Sequence, residues 1–189
     1  MRIALKLLAI FAILSMPLNA QNRRVIPLDV FLIIDASESL ESSKNEVISW
    51  LNERVVDEIL SDGDRITVWA AGDRATIIHS DIIFGNSSKN ALRNSLRLLD
   101  TSGKSADFEG ALKELYPRVS NTAPNRLSYT MLISSSAAGL EPVLSGETRS
   151  MLRWSRSERS ERWQAFVIAP DIGPRVQRAA AEFMEGQGL

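Results

Sequence analysis

Asp35, Ser37 and Ser39 follow directly on the apolar run Val30, Phe31, Leu32, Ile33 and Ile34, so one carboxylate and two hydroxyls arrive together where a buried strand should end. The spacing is D-x-S-x-S. A hard divalent cation such as Mg²⁺ takes oxygen ligands in near-octahedral array, and a tight loop with this donor set supplies part of that shell while leaving room for water. A coordination position left open can then take a carboxylate from a partner. The same residues also have a structural reading, since Asp and Ser after a strand turn the chain and cap the next helix.

Catalytic alternatives draw on the same loop. Nucleophilic catalysis by the serines needs a base, and the one histidine, His79, falls on a predicted edge hairpin apart from Ser37. A phosphatase-like hydrolase also places an Asp at the end of its first strand, and Asp35 keeps that reading open. Ser37, however, stands where such an enzyme needs a second acid to protonate the leaving group. The sequence has no G-x-G-x-x-G or G-K-[ST] segment to cradle a phosphate, and no Cys/His cluster to hold zinc.

Apolar runs alternate with segments of helical period, the pattern of a parallel α/β sheet. Leu28–Ile34 reads as the first strand. Ser43 and Glu46 have capping-box spacing, and Val47, Leu51, Val55 and Ile59 then form one apolar stripe that ends before Ser61-Asp62-Gly63-Asp64. Arg65–Ala71 and Ala75–His79 read as an antiparallel hairpin around Gly72-Asp73, at a sheet edge. Asn86, Ser87 and Ser88 open a helix with Leu92, Leu96 and Leu99 inward. Another starts near Asp107 with Phe108, Ala111, Leu112 and Leu115 inward, and Pro117 is expected to stop it. The strands Leu127–Ile133 and Trp163–Ala169 follow, joined by a polar crossover, and Pro174 starts a last helix through Val176, Ala180, Phe183 and Met184.

With 189 residues, 44% of them hydrophobic, the chain can build one domain with a real core. Arg2 and Lys6 before the apolar stretch Leu7–Met16 predict a secretory signal over residues 1–20, then a short extension at 21–27 and the domain at 28–189. An uncleaved N-terminal anchor is the alternative, although the stretch is short for a membrane span. The absence of cysteine excludes a lipid-modified cysteine and a disulfide framework. Export is therefore to the periplasm or the exterior, with no membrane span in the mature chain. Without Arg2 and Lys6 the balance is 20 basic against 23 acidic residues, formally −3, which gives no electrostatic reason to expect nucleic acid as a partner. The Ser, Glu and Arg mixture from Arg153 to Arg162 reads as a solvated face. Of the four tryptophans, Trp69 and Trp163 fall in strands, whereas Trp50 and Trp154 lie near polar helical faces and could anchor a partner.

The strand ending in Asp35-Ala36-Ser37-Glu38-Ser39, with a long helix, an edge hairpin, two helices and parallel strands in that order, resembles a von Willebrand factor A domain over about Val30 to Phe183. The resemblance implies a doubly wound, mostly parallel sheet with an antiparallel edge hairpin, here short of the family's last strand and helix. It also implies a metal-ion-dependent adhesion site in which Mg²⁺ captures a partner's Glu or Asp. That site is degenerate in this sequence. Ala106 stands where the family has its threonine, with Ser105 and Asp107 as neighbours that could substitute, and Ser135 of Ser134-Ser135-Ser136 stands where the family has its second acid. Metal affinity should fall accordingly.

These readings predict an exported, non-enzymatic protein-binding module with its contact at Asp35, Ser37 and Ser39. Asp35→Ala is then expected to abolish binding with little loss of fold. In the metal-free alternative the fold is an interaction scaffold that uses a sheet edge or another face. Asp35 then caps backbone amides, while Ser37 and Ser39 bond to the loops carrying Ser105 and Ser134.

Overall fold

The computed structural model describes residues 24–135 and the strand at 163–168. The expected signal segment, the crossover with its Arg153–Arg162 stretch and Trp154, Ser136, and the carboxyl-terminal region with its expected last helix and expected lack of a further strand lie outside the described residues.

Among the described residues five strands form one sheet: β1 (Leu28–Asp35), β2 (Arg65–Ala71), β3 (Ala75–Ile82), β4 (Leu127–Ile133) and β5 (Trp163–Ile168). Their order is β3-β2-β1-β4-β5, with β3 antiparallel to β2 and every other pairing parallel. Among the described residues the sheet is covered by α1 (Lys44–Trp50), which runs on as a π-helix over Leu51–Ile59, by α2 (Gly85–Arg97) and by α3 (Phe108–Ser120). The expected doubly wound, mostly parallel fold with an antiparallel edge hairpin is therefore present.

Every residue of β1 is buried, so its two faces feed two cores. Leu28, Val30, Leu32 and Ile34 pack with the predicted stripes of α1 and α2, while Phe31 and Ile33 pack with Trp69 and with Phe108, Ala111, Leu112 and Leu115 of α3. Trp50 is half-buried against the first core. Trp69 is fully buried in the second, its Nε1 donating to Glu114 at 3.0 Å.

Three local expectations need correction. Ser43 precedes α1 but makes no capping bond, because its hydroxyl turns back toward the Leu40 carbonyl at 3.4 Å. Pro117 does not stop α3. It removes one backbone donor three residues before the helix end, and burial of Val119 with an Asn121 N–H bond to the Pro117 carbonyl carries the final turn. Finally, α2 begins at Gly85, which has φ of +61°, and Ser88 Oγ takes the Phe84 N–H at 2.6 Å.

Two ion pairs, one buried and one part-buried, close the amino-terminal end of the sheet. Arg24 reaches Asp64 at 2.5 Å, and the same Asp64 accepts the backbone N–H groups of Leu28 at 2.7 Å and Ser61 at 2.8 Å. Arg126 pairs with Asp29 at 2.5 Å and donates to the carbonyls of Leu28 and Gly63. Three loops are thereby pinned to the start of β1. Removing one partner of a buried pair leaves the other charge stranded, so Arg126→Met is expected to destabilise the fold by about 3 kcal/mol or more, read as a lowered urea midpoint with an unchanged slope.

Candidate functional site

In a sheet of this order the chain leaves β1 toward β2 on one side and returns to β4 on the other. The crevice at the carboxyl ends of β1 and β4 is therefore the topological switch point, where open α/β sheets bind ligands. Asp35 ends β1 there and Ser134 follows β4.

The side chains meet in a ring. Ser37 Oγ donates to Asp35 Oδ1 at 2.6 Å and lies 2.7 Å from Ser39 Oγ. Ser39 Oγ lies 2.8 Å from Ser135 Oγ, which in turn donates to Asp35 Oδ2 at 3.3 Å. The amides of Ser37 and Ser135 and the hydroxyl of Ser134 also donate to Asp35. The carboxylate is 1% exposed and has no ion pair among the described residues. Around the ring, four oxygen–oxygen contacts share three hydroxyl hydrogens. Among the described residues the ring is thus one positive charge or one donor short of complete pairing, and Ser39 is its exposed member.

The weaker candidates lie elsewhere. Asp107 caps α3 through Gly110 N at 2.9 Å and accepts Ala75 N at 3.1 Å, so both of its oxygens hold backbone. Ser105 bonds through its amide and hydroxyl to Asp73. Ala106 packs toward the second core. Of the residues named from sequence, then, Asp35, Ser37, Ser39 and Ser135 come together, whereas Ser105 and Asp107 do not join them. Among the described residues no cluster of three or more His, Cys, Asp or Glu forms that could hold a metal. The donor set at Asp35 is nevertheless entirely oxygen, as Mg²⁺ and Mn²⁺ prefer, with a single negative charge to hold them.

Asp35→Ala carries a larger structural penalty than its sequence suggests, because five donors converge on a buried group and the two amides would lose their acceptor. Ser134, which the sequence marks only through the loop that carries it, is fully buried, with its hydroxyl donating to Asp35. Gly103 was also missed. Its carbonyl takes Glu38 N at 2.7 Å and its amide donates to Ala36 at 3.2 Å, bridging the Asp35 loop to the chain entering α3. An added Cβ would lie 2.9 Å from Ala36 O and 3.0 Å from Gly72 Cα, both backbone atoms. The only sequence signal is a glycine between two polar residues, which any loop could carry.

His79 sits on edge strand β3, two strands from β1, with Nδ1 3.1 Å from Ser95 Oγ and a buried Nε2 that has no partner. Burial lowers its pKa from the ordinary 6.5, against a smaller opposing pull from Asp81. The unfolded chain then binds more protons, so stability is full above about pH 6.5 and falls as the pH drops through and below that value.

No protein-family model matches the sequence, and no curated protein matches it significantly. Solved structures do. A von Willebrand factor type A protein from Catenulispora acidiphila superposes with a TM-score of 0.53 at 18% identity, covering 82% of this chain and 36% of that one. Proximal thread matrix protein 1 from the mussel byssus gives 0.55 at 11% identity, covering 76% and 38%. The manganese-loaded TRAP protein of Plasmodium vivax gives 0.56 at 16% identity, covering 82% and 63%. The chain thus spans less than two thirds of each, and at these identities the likeness is one of fold.

Two outcomes test this geometry. Gly103→Ala is expected to lower stability by about 1–3 kcal/mol in urea titration, since no flexible side chain is available to give way. His79→Gln should flatten the loss of stability seen on acidification from about pH 8 to 5, measured as urea midpoints.

Proposed function

We propose that this chain, which has a von Willebrand factor A-like fold, is an exported, non-enzymatic protein-binding module whose contact surface is the hydroxyl-ringed Asp35 at the switch point. The observation that supports this reading is the proton count of the ring: four close oxygen–oxygen contacts share three hydroxyl hydrogens around one buried carboxylate. A cation or a donor from outside completes the set. A divalent cation seated by Asp35, Ser37, Ser39 and Ser135 would keep coordination positions free for a partner's Glu or Asp. With one carboxylate the site holds such an ion weakly. Catalysis has little support, since His79 bonds to Ser95 on α2 and no cluster of three or more His, Cys, Asp or Glu forms among the described residues.

A second reading, the metal-free scaffold, rests on a different observation. The Asp35 oxygens already accept five hydrogen bonds from neutral groups, which is what the capping alternative requires. Under it the damaging substitutions lie on a sheet edge or another face, and chelators leave partner binding intact.

Calorimetric titration of Mg²⁺ and Mn²⁺ into the chain separates the two. Saturable binding that is lost in Ser39→Ala, an exposed and structurally mild change, and in Asp35→Ala is the expected result. Absence of saturable heat with either ion in the folded protein would move the function to the metal-free reading.

A further inference from the structure

At the opposite end of the strands from Asp35 lies a groove of about 800 Å³, between the last turns of α3 and the β2–β3 edge of the sheet. Its floor is polar. Arg65, Thr67 and Ser80 occupy the sheet side, with Thr67 and Ser80 hydroxyls 3.2 Å apart across the two strands, and Arg118 and Asn121 occupy the α3 side. The Arg118 guanidinium lies over the Trp69 ring, 5.5 Å from its centroid, and the indole beneath is fully buried and tethered to Glu114. An arginine stacked this way gives up little freedom when its outer edge binds a planar carboxylate.

The charges of the groove are unevenly engaged. Among the groove's carboxylates only Asp29 is ion-paired, with Arg126, while Glu114 accepts the indole N–H and Asp81 accepts the amide of Ile82 at 2.8 Å. Neither Arg65 nor Arg118 has a carboxylate within ion-pair distance among the described residues. Beside them runs β3, the outer strand of the described sheet, with Ile77, Ser80, Asp81 and Ile82 exposed. Asp81 is the one charge on this eight-residue edge, which leaves it open to strand addition.

We propose that the groove binds an extended acidic segment of a protein partner, which pairs with β3 as an added strand and directs carboxylates to Arg118 and Arg65. Main-chain bonds to β3 supply the docking register, and the two guanidinia select acidic over neutral side chains. The surface is separate from the Asp35 ring, so a partner could be held at either end of the sheet.

Fluorescence anisotropy with a labelled octapeptide of alternating Glu and Val tests the proposal, with the Gln–Val peptide as control. Saturable, salt-sensitive binding of the Glu peptide is expected, with no binding of the Gln peptide. Arg118→Gln and Arg65→Gln, both at exposed positions, should each weaken it about tenfold or more. EDTA and Ser39→Ala should leave it unchanged, which keeps this outcome distinct from that of the metal titration. Equal binding of the two peptides, no saturable binding, or full affinity in both arginine variants with unchanged urea midpoints would overturn it.

Discussion

Everything at the two ends of this molecule depends on β1 being buried on both faces. A strand with Leu28, Val30, Leu32 and Ile34 in one core and Phe31 and Ile33 in the other cannot shift register by a residue without exchanging the two sets. That constraint fixes the height at which Asp35 leaves the sheet. It also holds Asp29 at the far end, where Arg126 meets it. One polar group at each end of an apolar strand therefore sets the distance between the switch-point crevice and the base of the domain.

The ring at Asp35 carries a tension that the core does not. Buried carboxylates are tolerated when donors saturate them, and Asp35 has donors in number, but all are neutral. Such a group can serve structure alone or wait for a cation, and the hydroxyl hydrogens decide how readily it changes between the two. Ser37 and Ser135 direct theirs at the carboxylate. Ser39 has one hydrogen and two neighbouring oxygens to choose from, so its lone pairs remain available at the surface.

Much of the fold was legible because strands and stripes are written in local pattern. Arg65–Ala71 and Leu127–Ile133 fall where their apolar runs place them, and the Leu92, Leu96 and Leu99 stripe is buried as its spacing requires. Errors came where local chemistry competes with tertiary context. Ser43 had the type and spacing of a cap, yet the preceding short 3-10 turn at Glu38–Leu40 drew its hydroxyl away. Pro117 has the propensity of a terminator, but propensity takes no account of the burial of Val119 beyond it. At the site, the D-x-S-x-S spacing announced three ring members, whereas Ser134 and Gly103 matter through contacts about a hundred and about sixty-five residues distant from Asp35 or its loop, which no local pattern encodes. Asp107 shows the converse, a chemically suitable residue whose oxygens are committed to backbone.

The Arg24 contact with Asp64 has a bearing on how the chain can be cut. The first strand starts at Leu28, but the side chain that neutralises Asp64 lies four residues earlier, so the contacts of the fold reach back at least to Arg24. A cleavage after Ala20 leaves Gln21, Asn22 and Arg23 ahead of it. Trimming by four more residues would leave a buried carboxylate holding two amides without its cation. The trimming that the domain tolerates is thus limited by electrostatics at the base of the sheet, since Arg24 supplies the cation that the buried carboxylate keeps.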